Sequence, residues 1–120
     1  MPNSRASSRL LSSPTAPPAE VCLHAEEAVA RFNERQLHGT GIEYLVRFQG
    51  AYLYLDRCDY GRTGRICRLK YTGALDGWEF AIFKYSSDRY DPDEWMFPGA
   101  GAVDGTIEGA MIAGLDAYPA

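Results

Sequence analysis

Four runs of alternating apolar and polar residues between residues 42 and 86, joined by loops too short for crossover connections, constrain this chain more than anything else in it. The first run, 42–49, puts Ile42, Tyr44, Val46 and Phe48 on one side and Glu43, Leu45, Arg47 and Gln49 on the other. Gly50 turns the chain into 51–57, where Leu53 and Leu55 alternate with Tyr52, Tyr54 and Asp56. The loop 59–64 leads to 65–72, in which Cys67, Leu69 and Tyr71 oppose Ile66, Arg68 and Lys70. After the loop 73–77, the run 78–86 places Trp78, Phe80 and Ile82 on one side. A period of two marks half-buried strands, and short connections favour an antiparallel meander, because parallel neighbours need longer crossovers.

Helical patterns flank the meander. Val21, Ala25, Ala28, Val29 and Phe32 recur at three- and four-residue steps, and Gly39-Thr40-Gly41 ends the pattern, which predicts a helix over about 20–37. Ile107, Met111 and Leu115 predict a second helix over about 104–117, with Asp104 as its N-cap. Gly105, Gly109 and Gly114 weaken that helix, so close contact with the sheet is their expected use. The order α-β-β-β-β-α gives an α+β domain: a four-stranded antiparallel meander with both helices on one face.

Residues 20–120 read as that single domain. Residues 1–19 hold five Ser, four Pro, two Arg and no acid, and they read as a disordered tail that buries too little to offset its ordering entropy. This composition resembles a transit peptide, but the Pro cluster opposes a long amphipathic helix. No apolar run approaches the roughly 20 residues of a membrane span, so no membrane partner is expected. Cys22, Cys58 and Cys67 are an odd number for a disulfide scaffold, and no secretory apolar region precedes them, which points to a reducing cytoplasm. The spacing of Cys58 and Cys67 allows them to face each other across a hairpin. His24 and His38 do not sit at zinc-ligand spacing with the cysteines.

With two helices on one face, the opposite face shows Arg47, Tyr52, Tyr54, Arg68, Lys70, Glu79, Phe83 and Tyr85. Rings interleaved with cations are what a stacking platform requires. Charge is unevenly spread. Residues 42–85 carry a net +2 and residues 86–120 a net −6, against a total of −4. The basic excess belongs to the sheet and its loops, especially Arg57, Arg62, Arg65, Arg68 and Lys70, and Arg62 and Arg65, flanking Gly64 in a hairpin tip, suit a phosphate backbone. Cross-strand Tyr–Arg and Tyr–Lys pairs also stabilise sheets without any ligand, and small domains bury aromatic faces by self-association. An acidic chain opposes nucleic acid as a partner.

Other chemistries find little support. Asp91, Asp93 and Glu94, in an acidic stretch with Asp88, offer oxygens to a hard cation, but their spacing is not that of an EF-hand loop. The glycines of 99–105 open a helix without the Gly-Lys-Ser/Thr of a phosphate loop. No G-x-S-x-G elbow occurs, and neither Cys58 nor Cys67 has a neighbouring His in the sequence.

The strand Arg65-Ile66-Cys67-Arg68-Leu69-Lys70-Tyr71, the Trp-led strand Trp78-Glu79-Phe80-Ala81-Ile82-Phe83 and the second tryptophan Trp95 resemble a family of short bacterial α+β proteins of unknown function. In that family a helix and a hairpin precede these elements and a helix follows. The resemblance extends in layout over about 100 residues and implies fold and bacterial origin, with no activity. The family's aromatic-Gly ending is replaced here by Tyr118-Pro119-Ala120.

The sequence thus leads to a small non-catalytic binding domain working through Arg47, Tyr52, Tyr54, Arg62, Arg65, Arg68, Lys70, Phe83 and Tyr85, with no cofactor. Its partner is a protein, a second copy included, or single-stranded nucleic acid. The competing expectation is a metal-assisted enzyme built on Asp91, Asp93 and Glu94.

Overall fold

The computed structural model describes residues 15–120, so the tail assigned to 1–19 lies, as far as residue 14, outside the described residues. Helix α1 spans Ala19–Gln36 and is followed by strands β1 (Ile42–Gln49), β2 (Tyr52–Asp59), β3 (Arg62–Lys70), β4 (Glu79–Lys84) and β5 (Arg89–Asp91). Helix α2 spans Ile107–Ala117. All neighbouring strands pair antiparallel in the order β1-β2-β3-β4-β5. The architecture is α+β as the patterns predict, with a correction: the sheet has five strands, the fifth formed inside the acidic stretch.

Turn chemistry sets the register. Gln49 pairs with Tyr52 and Asp59 with Arg62, so both hairpins close on two residues. The second turn is Tyr60-Gly61, with both residues at positive φ, the geometry that matches strand twist. The hairpin tip is therefore not at Gly64, and Arg62 and Arg65 are strand residues rather than tip residues.

The register slips between Leu55 and Asp56, where Leu55 pairs with Cys67 and Asp56 with Arg65. Ile66 is the extra residue of this bulge. It turns into the core instead of sharing a side with Arg68 as regular alternation predicts. The bulge also brings Arg65, opposite Asp56, to the same side of the sheet as Arg68, opposite Tyr54.

Both helices cover one face. Val21, Ala25, Val29 and Phe32 of α1 and Ile107, Ala110, Met111 and Ala113 of α2 form one buried cluster with Tyr44, Leu53, Leu55, Cys67, Leu69, Phe80 and Ile82. Ile42, Val46 and Phe48, expected inside, are only half-buried near the β1 edge. Gly114 makes the close approach expected of it: a Cβ there would sit 2.5 Å from the Tyr44 hydroxyl and 2.6 Å from Ile66. The Tyr44 hydroxyl donates to the Met111 carbonyl at 2.6 Å, and burial pushes its pKa up. Helix α2 starts later than predicted. Thr106 is its N-cap, accepting from the Gly109 amide at 2.9 Å, while Asp104 instead accepts from the Thr106 amide and hydroxyl.

Arg57 shares the helix-covered side of β2 with Leu53 and Leu55, where it is only 2% exposed. Its guanidinium holds the Asp59 carboxylate through two bonds of 2.7 and 2.9 Å and donates to the carbonyls of Gly114 and Tyr118 at the end of α2. Burial opposes its charge, but Asp59 and Tyr44 outweigh that and raise its pKa. A cation at a helix C-terminus also complements the helix dipole. Arg57 therefore belongs to the interior and not to the basic surface.

Candidate binding face of the sheet

On the face turned away from the helices, the pairing register sets out rows of side chains. Arg47, Tyr54, Arg68 and Ala81 make one row, and Gln49, Tyr52, Lys70 and Glu79 the next. Tyr90 of β5 pairs with Phe83 of β4 and completes the surface.

This face is not flat. Arg47 on one edge strand donates to the hydroxyl of Tyr90 on the other at 3.4 Å. Four inter-strand spacings span about 19 Å in a flat sheet. An Arg and a Tyr side chain lying in the plane and aimed at each other each reach about 7 Å. They meet only because the sheet curls toward this side, which makes the face concave.

The curl packs rings and guanidiniums together. Ring centroids lie 6.1 Å apart for Tyr52–Tyr54, 5.3 Å for Tyr54–Tyr90, 4.9 Å for Phe83–Tyr90 and 4.8 Å for Phe83–Tyr85, most of them edge-to-face. Such contacts add about 0.5–1.5 kcal/mol each beyond burial. Guanidiniums lie over the rings: Arg47 over Tyr54 at 4.3 Å, Arg68 over Tyr52 at 4.4 Å and over Tyr90 at 5.4 Å, and Arg65 over Phe83 at 5.4 Å. Tyr90 is the centre, with Arg47, Arg65 and Arg68 around it. Burial raises its pKa, and the positive charges of Arg47 and Arg65 pull it back.

The predicted residues separate accordingly. Arg47, Tyr52, Tyr54, Arg65, Arg68 and Tyr85 share this network, and Lys70 lies at its margin beside Tyr52 and Glu79. Phe83, expected as an exposed ring of this face, is a correction: it is 2% exposed and forms the floor beneath Arg65, Tyr85 and Tyr90. Tyr85 is exposed, and its hydroxyl donates to the Arg65 carbonyl at 2.7 Å across Gly64, where a Cβ would lie 2.9 Å from that hydroxyl. Arg62 stands apart, lining a cleft of about 340 Å³ with Asp59, Tyr118 and Pro119.

Asp56 and Tyr90 were missed by the sequence reading. Asp56 accepts from Arg47 Nε at 2.9 Å, and that hydrogen bond raises the Arg47 pKa. Alternation placed Asp56 on this face beside Tyr54, a usable signal for an internal partner. Tyr90 had no comparable signal, because a three-residue strand shows no period.

Compared with protein-family models, curated proteins and solved structures, the chain matches none of them.

The acidic stretch is organised by internal cations. Lys84 Nζ bonds Glu94 at 2.8 Å and lies 4.0 Å from Asp91, which Arg89 approaches to 3.3 Å. The Lys84 bond pulls the Glu94 pKa down, and the Met96 amide adds to the effect. The second oxygen of Asp91 accepts from the Asp93 amide at 3.0 Å. Among the described residues, no three His, Cys, Asp or Glu side chains are placed to hold a metal ion. Cys58 pairs with Thr63 and Cys67 with Leu55, so the two thiols do not face each other, and all three cysteines are free. Among the described residues, no helix is long and apolar enough to cross a membrane.

Proposed function

We propose that this chain is a non-catalytic interaction domain that takes a protein partner on the concave aromatic–guanidinium face of its sheet. The carrying observation is the network around Tyr90, where guanidiniums lie over rings and those of Arg65 and Arg68, unlike that of Arg47, have no carboxylate within 4.0 Å among the described residues. Rigid rings and arginines are the residue types that dominate protein interfaces, because they bring contact area and hydrogen bonds at small entropic cost.

Two features favour protein over single-stranded nucleic acid. Arg47, Arg68 and Arg65 already lie over Tyr54, Tyr52 and Phe83, so a base meets guanidiniums before rings. The face is also close to neutral, with Arg47, Arg65, Arg68 and Lys70 set against Glu43, Asp56 and Glu79, on a chain of net charge −4. The resemblance to short bacterial proteins adds a proposed bacterial origin and nothing about the partner.

Affinity capture with the intact chain tests the reading, comparing wild type with Arg47→Glu on the concave face and Ile112→Ser on the exposed side of α2. A partner retained by wild type and Ile112→Ser but lost with Arg47→Glu supports the face. Loss with Ile112→Ser alone contradicts it, as does steeply salt-dependent binding of oligodeoxythymidine with no protein partner.

A further inference from the structure

Resting on the reading of the concave face as the working surface, we propose that Arg65 and Arg68 form a two-pronged carboxylate clamp for an extended acidic protein segment. In a regular strand, residues three apart point to opposite faces. The bulge at Ile66 cancels that alternation, so Arg65, opposite Asp56, and Arg68, opposite Tyr54, stand on the same side. Bulges commonly re-aim a side chain in this way beside a working site.

Both guanidiniums are held by stacking, Arg65 over Phe83 and Arg68 between Tyr52 and Tyr90. A guanidinium carries five N–H donors in its plane, and its attraction to a ring face consumes none of them. Neither has a carboxylate within 4.0 Å among the described residues, whereas Arg47, Arg57 and Arg89 each have one. Asp56, the cross-strand neighbour of Arg65, is instead engaged by Arg47. The structure therefore holds two ordered, uncompensated cations at successive same-face positions of one strand.

That spacing defines the ligand. Successive same-face positions on an extended chain are about 7 Å apart. A partner segment with Glu or Asp at alternate positions presents carboxylates on one side at the same interval. Each carboxylate meets a preorganised guanidinium fork, the geometry of the strongest charge-assisted hydrogen bonds.

The test titrates the intact chain with the capped hexapeptide Glu-Thr-Glu-Thr-Glu-Thr while arginine Nε–Hε resonances are followed by NMR. Saturable shifts at Arg65 and Arg68 and none at Arg31 or Arg35 are expected, with binding about tenfold weaker in Arg65→Gln/Arg68→Gln. A hexapeptide of the same composition with Glu at positions 1, 2 and 6 should bind more weakly than the alternating one. Absence of shifts at both arginines at millimolar peptide overturns the clamp, as does equal binding of the two peptides or tighter binding of a six-nucleotide oligodeoxythymidine at these resonances. Should the clamp fail while Arg47→Glu still abolishes partner capture, the face stands and only its carboxylate chemistry is lost.

Discussion

The two faces of this sheet are built from the same strands by different physics. Beneath the helices, β2 presents Leu53, Leu55 and Arg57, all nearly inaccessible and fully packed or hydrogen-bonded. One residue along in each case, Tyr52, Tyr54 and Asp56 face the concave side half-exposed, and their neighbours are cations. Apolar burial fastens the first face, where any lost volume is felt by the whole core. Rings and guanidiniums order the second laterally, and their polar edges stay in water. One face stabilises the fold while the other stays available.

The largest effect belongs to the covered face. Leu55→Ala empties a fully buried site and should lower unfolding free energy by about 2–5 kcal/mol in denaturant titrations. Arg57→Ala should cost about 3 kcal/mol, because Asp59 and the carbonyls of Gly114 and Tyr118 lose their donor together. If either variant melted like wild type, the division between the faces would be wrong.

On the concave face the expected losses are smaller. Arg47→Ala breaks a partly exposed pair with Asp56 and should cost no more than about 1 kcal/mol, with the thermal transition still cooperative. A loss comparable to that of Leu55→Ala would show that the rings and cations are a second core rather than a surface.

Alkaline titration sharpens the same contrast. Burial pushes the Cys67 thiol and the Tyr44 hydroxyl up, so the folded state keeps protons that the unfolded chain releases above about pH 8.5 and about pH 10. Their contribution is fully present below those values and declines as pH rises beyond them. Stability measured from pH 7 to 11 should fall in that order, and Cys67→Ala should flatten the first part of the decline.

How much of this could be read in the sequence follows from the length of each pattern. Eight-residue alternations reveal themselves, and so does an eighteen-residue helix with Val21, Ala25, Val29 and Phe32 on one stripe. Strand β5 has three residues, Arg89-Tyr90-Asp91, and shows no period, so Tyr90 was hidden among carboxylates. The bulge leaves only the consecutive apolar pair Ile66-Cys67 as its mark, which two registers explain equally well. Arg57 continues the period of Leu53 and Leu55, but its charge suggests the surface. Asp59 and, far along the chain, the carbonyls of Gly114 and Tyr118 at the end of α2 together supply the acceptors that keep it inside. The site residues were legible as types on a face. The curl that gathers them around Tyr90 was not, because it depends on contacts between the two edges of the sheet.

The most direct test is the affinity of the Arg65→Gln/Arg68→Gln variant for the alternating glutamate peptide, measured on protein whose melting curve matches wild type. A folded variant whose binding falls about tenfold is the result expected of a face that recognises without holding the fold together. Undiminished binding by the folded variant, or a variant that no longer folds, would contradict it.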